Sequence, residues 1–144
     1  MQIANCAIHQ FAIYNLQSAI MKILFAEDEP DIQFVARIAL EDEGHQIVTV
    51  DDGQAAFERA LAEPFDVILL DVMMPRLDGL GACQKLQDDP RTRNIPVIFL
   101  TARSQQFEIQ TGLRLGALGY IIKPFDTFTL ASEIAKLLAG RNKQ

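Results

Sequence analysis

Three carboxylates, one hydroxyl and one ammonium each stand at the end of an apolar run: Glu27, Asp28, Asp71, Thr101 and Lys123. Brought together, the acids would repel one another. Two like charges about 4 Å apart cost roughly 4 kcal/mol at an effective dielectric of 20. Such a cluster calls for a cation, and hard oxygen donors favour Mg²⁺, which keeps several waters and readily takes a phosphate oxygen. A carboxylate beside Mg²⁺ and a lysine stays ionised and can attack phosphorus. Phosphoryl transfer asks mainly for positioning and charge neutralisation, which Mg²⁺, Lys123 and the Thr101 hydroxyl would supply. Asp71 is the best-placed nucleophile, because the run before it, Val67-Ile68-Leu69-Leu70, is the most buried in character.

Each residue alone has an ordinary role. A carboxylate after a strand commonly caps a helix or closes a turn, and so does a threonine. A single lysine is usually a surface charge. The conjunction at successive strand ends is what ordinary roles do not produce.

The elements that must position these groups are legible as an alternation. Lys22 to Ala26, Gln46 to Val50, Phe65 to Leu70, Pro96 to Leu100 and Leu118 to Ile122 read as strands. Between them, helices are predicted from about Pro30, where proline suits a first turn, to Gly44. Others follow Asp51-Asp52-Gly53, run from Gly79 to about Gln87, and span roughly Gln105 to Leu115. The last covers about Thr127 to Ala139. Ile32, Val35, Ala36, Ala39 and Leu40 mark one helical face. The Gln105–Leu115 helix is weakly specified, with Gly112 inside it, which marks it as an element able to move. Repeated strand–helix alternation predicts an α/β, doubly wound parallel sheet with strands one, three and four in the centre. Ligands in such sheets sit at the carboxyl ends of the strands, where all five groups fall.

The chain has 144 residues, 49% hydrophobic and 22% charged, as expected for one globular domain. No run is long enough for a membrane span. Cys6 and Cys83 are too few for a disulfide framework, which fits a cytoplasmic setting. A net charge of −6 argues against a nucleic-acid surface. Residues 1–20 stand outside the alternation, either as an extension upstream of Met21-Lys22 or as an extra helix carrying Ile8, Phe11, Ala12 and Leu16. The domain is expected over 21–140 with a short tail at 141–144. With no output domain expected, its signal would leave by protein–protein contact.

Four motifs carry a resemblance: Ile-Leu-Phe-Ala-Glu27-Asp28-Glu-Pro, Val-Ile-Leu-Leu-Asp71-Val-Met-Met-Pro75-Arg-Leu-Asp78-Gly79, Phe-Leu-Thr101-Ala102, and Gly119-Tyr120-Ile-Ile-Lys123-Pro124-Phe125. From Met21 to about Gly140 the chain resembles the receiver domain of two-component response regulators, in its single-domain, CheY-like form. The resemblance implies a flavodoxin-like five-stranded sheet in the order 2-1-3-4-5, with helices on both faces. It implies that Asp71 is the phosphoacceptor, taking its phosphoryl group from a sensor histidine kinase or histidine phosphotransfer protein. Asp28 and Asp71 would hold Mg²⁺ directly, Glu27 through water, and Met73 through its backbone carbonyl. Thr101 would bond the phosphoryl oxygen, Lys123 would pair with its charge, and Tyr120 would turn inward as Thr101 moves. A cis Lys123–Pro124 bond is expected. Glu27 stands where an aspartate is commoner. The usual paired acids are replaced by Leu118-Gly119, which implies a monomer or a weak phosphorylation-dependent dimer.

Rival chemistries fit less well. An aspartyl phosphatase would want a second acid two residues past the nucleophile, where Met73 stands. A flavin mononucleotide carrier would want a hydroxyl- and glycine-rich loop after strand one, where the chain has Glu27-Asp28-Glu29-Pro30-Asp31. The remaining alternative is a docking module that works without phosphorylation.

Overall fold

Five strands and five helices alternate among residues 20–102 and 104–141, the part of the chain that the computed structural model describes. The expectations for residues 1–19 and 142–144 lie outside the described residues. The elements are β1 (Lys22–Ala26), α1 (Pro30–Asp42), β2 (Gln46–Val50), α2 (Gly53–Ala62), β3 (Val67–Asp71) and α3 (Gly79–Asp88). They continue as β4 (Val97–Thr101), α4 (Gln106–Arg114), β5 (Gly119–Ile122) and α5 (Leu130–Arg141). All strand pairs are parallel, in the order β2-β1-β3-β4-β5. This is the flavodoxin-like order that the resemblance implied.

Local chemistry sets the helix ends. Pro30 opens α1, and Gly44, at φ +90°, closes the turn after it by donating to the Glu41 carbonyl. The Asp52 carboxylate accepts from the Ala55 N–H to cap α2, and Asp78 does the same for α3 through Gly81, each at 2.8 Å. At the other end of the chain, Asp126 accepts from the Phe128 N–H and ties Thr127 into a turn, so α5 begins at Leu130 rather than near Thr127. Asp66 lies outside β3: its carboxylate accepts from the Lys22 N–H at the start of β1, and the strand begins at Val67 rather than Phe65.

Every residue of β3 and β4 is buried, as a strand covered on both faces requires. On one face Leu24, Ile68, Leu70 and Phe99 meet Ala56 and Ala60 of α2 and Ala82, Cys83 and Leu86 of α3. On the other, Ile23, Phe25, Leu69 and Leu100 meet Ala36 and Leu40 of α1 and Leu130 and Ile134 of α5. Val35 departs from the expected α1 stripe and is 41% exposed.

Gly112 is explained by packing. A β-carbon there would overlap the fully buried ring of Phe99, so α4 rests its backbone directly on β4. Gly112→Ala should therefore destabilise the protein. Overpacking costs about 1–3 kcal/mol, against about 1 kcal/mol gained in helix propensity. A lower urea midpoint is the expected result, and a raised one would show that Phe99 can move aside.

Candidate functional site

Parallel pairing puts the carboxyl ends of β1, β3, β4 and β5 along one rim. The register aligns Asp71 with Leu100 and Thr101 with Ile122, so Asp71 and Thr101 end adjacent strands. Glu27 follows β1 directly, its N–H donating to the Val50 carbonyl of β2. Lys123 follows β5, its N–H donating to the Thr101 carbonyl at 2.7 Å, and the Lys123–Pro124 bond is cis, as expected.

These placements bring the acids together. Carboxylate oxygens of Glu27, Asp28 and Asp71 lie within 4.8 Å of one another. Glu27 is fully buried and Asp71 nearly so, while Asp28 faces solvent. Lys123 Nζ donates to Asp71 Oδ1 at 3.1 Å and to Glu27 Oε1 at 3.4 Å. Burial, and next the carboxylate of Asp71, push the Glu27 carboxyl up to about 8. Burial would lower the Lys123 ammonium, but Asp71 and Glu27 more than offset it and hold it above the usual lysine range. One partly buried cation thus faces two buried acids and a third at the mouth. An all-oxygen donor set with excess negative charge suits a hard divalent cation that retains water.

The loop after Asp71 is held from several sides. Met73 N–H points at Asp71 Oδ1, 3.4 Å away, and the Met73 side chain is exposed. Arg76 takes a left-handed backbone at φ 64° and bonds the buried Asp52 carboxylate, Nε at 2.7 Å and a terminal nitrogen at 2.5 Å. The Gly79 N–H donates to the Val72 carbonyl, and a β-carbon on Gly79 would strike the Asp71 carbonyl, so only glycine lets α3 start this close to β3.

Thr101 is fully buried and donates to Gln105 Oε1 at 2.6 Å. Tyr120, on β5 beside Phe99, is 44% exposed and faces outward. Sequence reasoning passed over Gln105 and Arg76. A glutamine four residues past Thr101 was read only as the start of a weak helix, and nothing in sequence pairs Arg76 with Asp52, 24 positions earlier. Beside the rim, a groove of about 430 Å³ runs past Lys123 between Ile32 and Val35 of α1 and Pro124 and Phe125, which accounts for the exposure of Val35.

Residues 23–135 match the response regulator receiver domain family. The chain belongs to that family. Among curated relatives, a probable transcriptional regulator ycf27 of Guillardia theta is 38% identical over 122 residues, covering 85% of this chain and 47% of its own length. The regulatory protein CseB of Streptomyces coelicolor is 37% identical, covering 81% and 48%. This receiver chain thus spans about half the length of the curated relatives it matches. Two solved structures match over nearly their whole length. The chemotaxis response regulator CheY4 of Vibrio cholerae is 28% identical with a TM-score of 0.77, covering 83% of this chain and 99% of that one. The receiver domain of a Pseudomonas aeruginosa sensor histidine kinase is 31% identical with a TM-score of 0.76, covering 84% and 98%, and that structure has a magnesium ion coordinated in its active-site cleft. The chain is therefore a signalling module of the two-component type. Among the described residues, no helix is long and apolar enough to cross a membrane.

Proposed function

We propose that this receiver accepts a phosphoryl group on Asp71 in a Mg²⁺-dependent reaction and signals by protein–protein contact. The observation that carries the reading is the convergence of Glu27, Asp28 and Asp71 on one point, with Lys123 Nζ 3.1 Å from the Asp71 carboxylate.

The donor is a phosphohistidine on a sensor kinase or phosphotransfer protein. An Asp71 carboxylate oxygen attacks phosphorus; the new O–P bond forms as the P–N bond breaks. The bonding pair leaves on the imidazole nitrogen, giving neutral imidazole when the other ring nitrogen carries a proton. Lys123 meets the charge on the phosphoryl oxygens, and Thr101 donates a hydrogen bond to one of them. Asp28 and Asp71 would hold Mg²⁺ directly, Glu27 through water and Met73 through its carbonyl, and the bound ion would supply the remaining neutralisation. Tyr120 turns inward as Thr101 shifts toward the phosphoryl group. The groove beside Lys123 offers a partner an apolar seat next to the nucleophile. Asp71 reacts with its donor and returns by hydrolysis, so the chain acts on itself rather than on a separate substrate.

Intact-protein mass after incubation with acetyl phosphate tests the reading. One phosphate adduct is expected in Mg²⁺ and none in EDTA. Folded, Mg²⁺-binding protein that takes up no phosphate would replace this reading with a phosphorylation-independent docking module.

A further inference from the structure

A threonine hydroxyl has a single proton to donate. Here that proton is already engaged. Thr101 Oγ1 donates to Gln105 Oε1 at 2.6 Å, with the Ala102 carbonyl a longer second acceptor at 3.3 Å, and the Ala102 N–H donates to the same Gln105 oxygen at 2.8 Å. The Gln105 N–H in turn donates to the Ala102 carbonyl at 3.1 Å, closing the turn that leads into α4. One amide oxygen therefore holds the Thr101 hydroxyl and the backbone beside it.

We propose that Gln105 is a positioning residue: its side-chain oxygen competes with the phosphoryl group for the Thr101 proton and so holds the site toward its unphosphorylated arrangement. The inference rests on the phosphoacceptor reading of Asp71 and on the role given there to Thr101. The bond must break before Thr101 can serve the phosphoryl oxygen, so whatever it contributes is subtracted from the affinity of the site for a phosphoryl group. A neutral hydrogen bond of ordinary net strength corresponds to about threefold to tenfold in such an affinity.

The same bond predicts opposite results for two substitutions. Gln105→Ala removes the shorter of the two competing acceptors and leaves only the Ala102 carbonyl at 3.3 Å. Gln105→Glu keeps an acceptor, and its charge strengthens the hold on the hydroxyl. A residue that merely caps the turn would give losses in both.

The test is titration with beryllofluoride, a phosphoryl mimic, in saturating Mg²⁺, followed by amide NMR shifts around the site. Gln105→Ala should bind about threefold to tenfold more tightly than wild type and Gln105→Glu at least about threefold more weakly, with Mg²⁺ affinity measured separately in each protein. In a Thr101→Ala background the Gln105→Ala change should do nothing, because the coupling runs through that hydroxyl. Equal affinities in the three proteins, or the same shift with and without Thr101, would overturn the competition alone. Wild-type protein that binds no beryllofluoride would overturn the phosphoacceptor reading beneath it.

Discussion

Asp71→Asn is expected to leave the protein at its unmodified mass after acetyl phosphate treatment, in Mg²⁺ as in EDTA. The change keeps the side-chain shape and removes the anionic oxygen that attacks phosphorus in the proposed reaction. It also removes one of two buried carboxylates that share Lys123, so in EDTA the variant should be more stable than wild type by about 1 kcal/mol. The pH dependence follows from Glu27. Its folded carboxyl lies above the ordinary value of 4.5, near 8, mainly through burial and then through Asp71. Its contribution to stability is therefore full below about 4.5 and is lost as pH rises toward 8. Without the Asp71 charge that loss shrinks, and the advantage of the variant should grow from pH 5 to pH 8 in urea titrations. Mg²⁺ supplies the missing positive charge in wild type, so its addition should narrow the gap. A phosphate adduct persisting in Asp71→Asn would place the acceptor elsewhere. A variant less stable than wild type in EDTA would show that the acids are already relieved.

Lys123→Ala should give the other large effect, with two readouts that move apart. Lys123 is the cation bonded to both Glu27 and Asp71 in the buried part of the site. Removing one partner of a buried ion pair leaves uncompensated charge and commonly costs several kcal/mol. Here protonation of Glu27 and the partial exposure of the lysine limit the loss to about 2 kcal/mol in EDTA. Mg²⁺ should bind the more negative site more tightly and restore most of that stability. Phosphate uptake should nonetheless fall by about 100-fold in saturating Mg²⁺, because the ammonium proposed to meet the developing phosphoryl charge is gone. Uptake at the wild-type rate would reduce Lys123 to a structural counter-ion.

How much was legible beforehand varies with the kind of contact. Glu27, Asp28, Asp71, Thr101 and Lys123 were readable because a parallel sheet converts position along the chain into position on a rim. A residue that ends a strand can face only one end of the molecule. The central place of β1, β3 and β4 followed from their continuous apolar character. Element ends were read less well where a carboxylate takes a backbone N–H, within its own turn at Asp126 and from Lys22, 44 positions away, at Asp66. Contacts that depend on side-chain direction were not legible at all. Gln105 turning back to Thr101, and Arg76 crossing to Asp52, depend on loop paths that no periodicity encodes. Gly112 looked like a weakness in a helix until the Phe99 ring was seen in the place of its missing β-carbon.

The complete burial of β3 and β4 separates chemistry from address. Apart from the rim at their carboxyl ends, the strands that set the spacing of Asp71 and Thr101 have no outer surface for a partner to touch. Whatever distinguishes one kinase or target from another must be written on the helices and on the loops of the rim. Those outer faces can be rewritten residue by residue for a new correspondent while the spacing between Asp71 and Thr101 stays as it is.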